Sequence, residues 1–192
     1  MGFSVTWCAV REEDAQKLLE QLDLSPTGET EEFPESPVST VKLDTGWRII
    51  WCNKYDGPIL GQQNLGDISR ERDVLLCLIE EHVMASSSEF WSNGNRKWLI
   101  SHQGENGPKG LDATGELPEC FPEIKGEMEE AQLAEGGDDA DVDYIYEIPL
   151  KVAQSLVGFK HDEDCQHISK EQFVVLSCPN MRKGIFARLF GK

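Results

Sequence analysis

The sequence predicts an α+β fold: a single layer of mostly antiparallel sheet, with five or more hairpin-linked strands, backed by two or three helices. Three observations point there. Apolar β-forming runs recur along the chain, two pairs of them are joined by loops of two or three residues, and other stretches carry helical apolar spacing. The 192 residues are about one domain long, and 39% hydrophobic residues with 17 glycines match ordinary globular usage. No run reaches the ~18 apolar residues that span a bilayer. The first residues lack the basic and apolar regions of a secretory signal.

Taken in order, Phe3 to Val10 reads as a strand. A helix follows over about Glu12 to Leu22, where Ala15, Leu18, Leu19 and Leu22 repeat at i, i+3, i+4, i+7 and Glu12, Glu13 and Asp14 suit the dipole of the first turn. Ser25 to Pro37, with three prolines and four glutamates, reads as loop. Val38–Leu43 and Trp47–Cys52 form a hairpin around Asp44-Thr45-Gly46, with glycine supplying the left-handed position. Val41 then faces Ile49 and Ser39 faces Trp51, which gathers Val41, Leu43, Trp47, Ile49 and Trp51 on one core face. Asn53 to Ser69 is irregular. Val74 to Val83 suits a buried strand or a helical stripe, and the strand is the preferred reading because a second hairpin follows it.

That hairpin is Ala85–Ser92 and Asn95–His102 around Asn93-Gly94, the strongest short hairpin signal. A two-residue loop pairs Trp91 with Arg96, Glu89 with Trp98, Ser87 with Ile100 and Ala85 with His102. Gln103 to Pro122 reads as loop and Pro122 to Ala134 as a polar helix. Val142 to Ile148 reads as a strand, and Pro149 opens a helix that Gly158 closes after Val157. Phe173–Ser177 is a late strand. The domain expectation is one acidic domain over 1–179, with a mobile acidic segment at about 116–143, and a short basic amphipathic tail over 180–192.

Charge is the feature that bears most on function. All 35 acids and 14 of the 18 bases precede Pro179, whereas Asn180 to Lys192 holds Arg182, Lys183, Arg188 and Lys192 and no acid. Glu116 to Glu147 alone holds 12 acids against Lys125. A surface this negative repels phosphate backbones, so direct nucleic-acid binding is not expected, whereas a basic protein partner is attracted and steered. The residues expected to receive that partner are Glu127, Glu129, Glu130, Asp138, Asp139 and Asp141. Six cysteines without a C-x-x-C, four of them in apolar runs, suit a reducing cytoplasm rather than a disulfide framework.

Other chemistry rests on smaller constellations. His161, Cys165 and His167, with Asp162 beside them, offer zinc-type donors within seven residues. They define the alternative reading, a metal-assisted hydrolase with zinc as cofactor. Glu81, His82, Trp91, Trp98 and His102 form a candidate acid–base pocket with tryptophan walls. Asp139, Asp141 and Asp143 mimic the start of a calcium loop, but Tyr144 and Leu150 stand where it needs glycine and glutamate. The motifs of nucleotide-binding loops, nucleophile elbows and zincins are missing. In the tail, Ile185, Phe186, Leu189 and Phe190 share a helical face flanked by bases, so a peripheral membrane anchor is a further alternative, although membrane association is not the expectation. The leading expectation is a non-enzymatic, cytoplasmic interaction protein, comparable in its physics to immunity or inhibitor proteins, that binds a basic partner.

Overall fold

The computed structural model describes residues 2–54, 65–168 and 172–178. Nine strands form one sheet: β1 (Ser4–Arg11), β2 (Ser25–Glu31), β3 (Val38–Lys42), β4 (Trp47–Cys52), β5 (Asp73–Glu80), β6 (Ala85–Ser92), β7 (Asn95–Gln103), β8 (Leu111–Gly115) and β9 (Phe173–Ser177). Their order is β2-β9-β3-β4-β1-β5-β6-β7-β8, and every neighbouring pair is antiparallel. The main helices are α1 (Glu12–Gln21), the single turn α2 (Leu65–Ile68), α3 (Phe121–Ala134) and α4 (Glu147–Val157). Among the described residues, no helix is long and apolar enough to cross a membrane.

Helices cover both faces of the sheet. On one, Trp7, Val41, Leu43, Ile49, Trp51, Leu75, Cys77 and Ile100 pack with Ile148, Val152, Ala153 and Val157 of α4 and with Phe121 and Phe159. On the other, Cys8, Val10, Ile50, Val74 and Leu76 pack with Ala15, Leu18 and Leu19 of α1 and with Ile68. The central strands β1, β4 and β5 are therefore buried on both sides, which is why they read as near-continuous apolar runs. That burial also settles Val74–Val83: a strand to Glu80, then a 3-10 turn over Glu81–Val83.

The first hairpin has the expected register, with Val41 facing Ile49 and Ser39 facing Trp51. The second departs from it. Trp91 faces Arg96, but a bulge places Phe90 opposite Trp98, so every later pair is shifted by one: Glu89 faces Leu99, Ser87 faces Ser101 and Ala85 faces Gln103. Trp98, Ile100 and His102 thereby share the α4 face with Phe90, Ser88 and Ser86, and Phe90 stacks on Trp98 at 6.1 Å between ring centroids. One extra residue in a strand redirects the side chains beyond it.

Three segments differ from expectation. Ser25 to Pro37 is not wholly loop, because β2 occupies Ser25–Glu31 as an edge strand whose side chains are almost all exposed. It pairs antiparallel with β9, the Thr27 side-chain hydroxyl also donates to the Val175 carbonyl, and edge position tolerates Pro26 and Gly28. Gln103 to Pro122 likewise contains a 3-10 stretch and the opposite edge strand β8. Val142 to Ile148 is not a strand. The Asp143 carboxylate accepts from the backbone N–H groups of Ile145 and Tyr146, and this capped turn leads into α4, whose Pro149 lies in the first turn, where no N–H is needed. The basic tail, 180–192, lies outside the described residues.

Candidate functional site

The acidic segment is built on α3. Phe121, Ile124 and Met128 face the core beside α4, which leaves the other side of the helix in solvent. Glu123, Glu127 and Glu130, at i, i+4 and i+7, line that side and are exposed. Gln132 ties the chain beyond the helix back onto it. Its buried side-chain amide donates to the carbonyls of Gly137 (2.7 Å) and Val142 (3.1 Å), and its Oε1 accepts from Tyr144 N–H at 2.8 Å. The acidic segment, for which mobility is the expectation, contains α3, a 3-10 turn over Gly137–Asp139 and this side-chain clasp.

Of the six carboxylates predicted for partner binding, Glu127 and Glu130 lie on this exposed ridge of α3, Glu129 lies elsewhere on the helix, Asp138 and Asp139 lie in the 3-10 turn after it, and Asp141 lies in the segment that follows. Glu129 pairs with Lys125 at 2.6 Å and Asp138 pairs with Lys109, whereas Glu127, Glu130, Asp139 and Asp141 have no ion pair among the described residues. Leu133 and Val142, in the same stretch of chain, are 75% and 52% exposed and supply apolar surface.

A second charged cluster lies beyond α4. Lys160, 5% exposed, meets Asp162 at 2.6 Å, Glu147 at 3.2 Å and Glu163 at 3.4 Å. Burial alone would lower the lysine pKa, but the hydrogen bond to Asp162 and the nearby carboxylate charges raise it above the ordinary value. Burial likewise pushes Asp162 up, and the hydrogen bond from Lys160 with neighbouring positive charge more than reverses this. Lys160 is thus held as an ammonium ion, which is unsuited to act as a nucleophile or base. Burial, with Cys52 nearby, pushes the Cys8 thiol up to about 12, and burial also raises Cys77 and Cys165, so none of these three is an activated thiolate.

The zinc-type residues are turned to separate partners. His161 Nε2 lies 3.2 Å from Glu81, Cys165 Sγ donates to the Gly158 carbonyl at 3.1 Å, and His167 Nδ1 meets Asp44 at 2.8 Å. Among the described residues, no group of three or more His, Cys, Asp or Glu side chains is arranged to hold a metal ion. The candidate pocket is also divided. Glu81 belongs with His161, exposed His82 pairs with Glu80 at 2.7 Å, and Trp91 lies on the α1 face. Trp98 and His102 are buried on the α4 face, with His102 Nε2 2.8 Å from Asp143. The His102–Asp143 and His161–Glu81 pairs span 41 and 80 residues, and nothing local in the sequence signals either.

Comparison with family models, with curated proteins and with solved structures finds no match.

Proposed function

We propose that this chain is a non-enzymatic interaction protein whose acidic ridge on α3 receives a basic protein partner in the cytoplasm. The observation that carries the reading is a stretch of carboxylates without an ion pair among the described residues, Glu127 and Glu130 on α3 and Asp139 and Asp141 in the segment that the Gln132 clasp ties back to it, with the exposed Leu133 and Val142 in the same stretch. A preorganised surface loses little freedom on binding, and its field accelerates the arrival of a positively charged partner. Carboxylates on such a surface set rate and orientation, while a desolvated leucine lengthens the life of the complex.

A defined probe tests this: an amphipathic peptide with lysines on one helical face and leucines beside them, immobilised and exposed to the purified chain. The association rate should fall by about tenfold or more between low and physiological salt, as screening shortens the Debye length. Leu133→Ser should raise the dissociation rate and leave the association rate unchanged. A salt-independent association rate, or no binding at low salt, removes the reading.

A further inference from the structure

The two edges of the sheet are built differently. At β2, Pro26 lacks a backbone donor, the register shifts between Pro26 and Thr30, and Gly28 has φ 89°. Such devices keep foreign strands off an edge. β8 has no proline, and its register against β7 is regular from the Trp98–Gly115 pair to the His102–Leu111 pair. Among the described residues, no strand lies beyond it.

Hydrogen-bond alternation decides which groups of β8 face outward. Glu116 N–H donates to the Lys97 carbonyl at 2.8 Å and Gln103 N–H to the Gly110 carbonyl at 3.2 Å, so within β8 it is Asp112 and Thr114 that bond to β7. Leu111, Ala113 and Gly115 turn their N–H and C=O groups to the open edge. Of these groups, only the Gly115 carbonyl has a partner among the described residues, the Leu117 N–H at 3.2 Å. The Leu111 and Ala113 side chains pack on the core of the α4 face. Asp112 and Thr114 are exposed on the opposite face, and Asp112 has no ion pair among the described residues.

A strand added antiparallel here needs apolar residues beside Leu111, Ala113 and Gly115 and a base opposite Asp112. That last pair is of the non-hydrogen-bonded kind, in which side chains lie closest. The chain itself carries this pattern in Ile185-Phe186-Ala187-Arg188-Leu189. With Ala187 opposite Ala113, Ile185 meets Gly115, Leu189 meets Leu111, Phe186 meets Thr114 and Arg188 meets Asp112. The tail over 180–192 holds four bases and no acid, whereas all 35 acids precede it, so charge also favours its landing on another molecule's body. It is too short for the β8 edge of its own molecule. From Cys178, the seven residues to Ile185 span at most about 25 Å. A strand outside β8 lies eight strand spacings from β9, about 38 Å across the sheet.

We infer that residues 185–189 of one molecule add as an antiparallel strand to the β8 edge of a second copy, with Arg188 pairing with Asp112. The contact joins two different surfaces, so it closes as a reciprocal dimer or continues as a chain. It does not rest on the α3 reading.

Sedimentation of the full chain should show association that rises with concentration, and removal of 180–192 should leave monomers at every concentration. Arg188→Asp and Asp112→Arg should each weaken association about tenfold, by setting like charges opposite one another, and the two together should restore it. Asp112 is exposed, so its replacement leaves the core intact. A monomeric full chain, association that survives removal of 180–192, single variants as tight as the wild type, or a double variant no tighter than the singles would each overturn the inference. Docking of the tail on the α3 carboxylates would leave Asp112→Arg unaltered and is thereby told apart, while the lysine–leucine peptide reports on α3 separately.

Discussion

A lysine at 5% exposure among three carboxylates is stable only as a set. Removing the cation leaves like charges crowded at the end of α4. Lys160→Met should therefore cost about 2–3 kcal/mol by urea denaturation at neutral pH, less than the ~3–5 kcal/mol of a wholly buried pair because Glu163 is half exposed. The pH dependence has a defined sign. Asp162 has its pKa lowered from 3.8, so its contribution is complete above that value and is lost as pH falls through the lower folded one. Lys160 is raised from 10.5, so its contribution is complete below that value and is lost as pH rises through the higher folded one. Lys160→Met should flatten both losses, and an unchanged pH profile would show that the cluster is energetically idle. The sequence displays Lys160, Asp162 and Glu163 side by side, but Glu147 reaches them only because Gly158, at φ 85°, ends α4 and turns the chain back.

At the scale of elements, what could be read depended on whether an element buries a patterned face. The α1 stripe, the first hairpin and the doubly buried β5 all do, and each has the location expected of it. The edge strands β2 and β8 bury almost nothing, so their composition resembles loop. The β6–β7 bulge is unmarked in sequence because Lys97 is compatible with either register. Backbone geometry at the β8 edge gives a direct check. Gly115 has φ 92°, and a Cβ there would lie 2.1 Å from the Lys97 carbonyl oxygen, whereas Gly28 has φ 89° with nothing within 4 Å. Gly115→Ala should cost at least about 3 kcal/mol and Gly28→Ala about 1–2 kcal/mol, the latter for backbone conformation alone. In thermal unfolding these correspond to ~2–4 °C per kcal/mol for a domain of this size. Equal shifts would show that the edge strand yields without cost.

For the molecule as a whole, the two faces of the sheet divide the work. On the α1 face, the hydrophobic stripe of a short helix closes the core, and three of its four acids sit at the helix start, where Glu12 is engaged by Arg48 at 2.8 Å. On the α4 face, α3 forms an outer layer with few buried residues and an excess of carboxylates. The negative character of this stretch was legible as composition. The clasp that closes it was not, because it depends on a buried glutamine whose partners lie 5 to 12 residues away in a turn without periodicity. Net charge alone would attract any cation to any side of the protein, so position is the point at issue. Two triple variants of identical net charge separate the possibilities: Glu127→Lys, Glu130→Lys and Asp139→Lys on α3 and the turn after it, and Glu13→Lys, Glu29→Lys and Glu35→Lys elsewhere. The deciding measurement is the association rate of the lysine–leucine peptide with each at low salt. The first variant should associate about tenfold more slowly than the wild type and the other within about twofold of it; equal rates for the two variants would contradict the account.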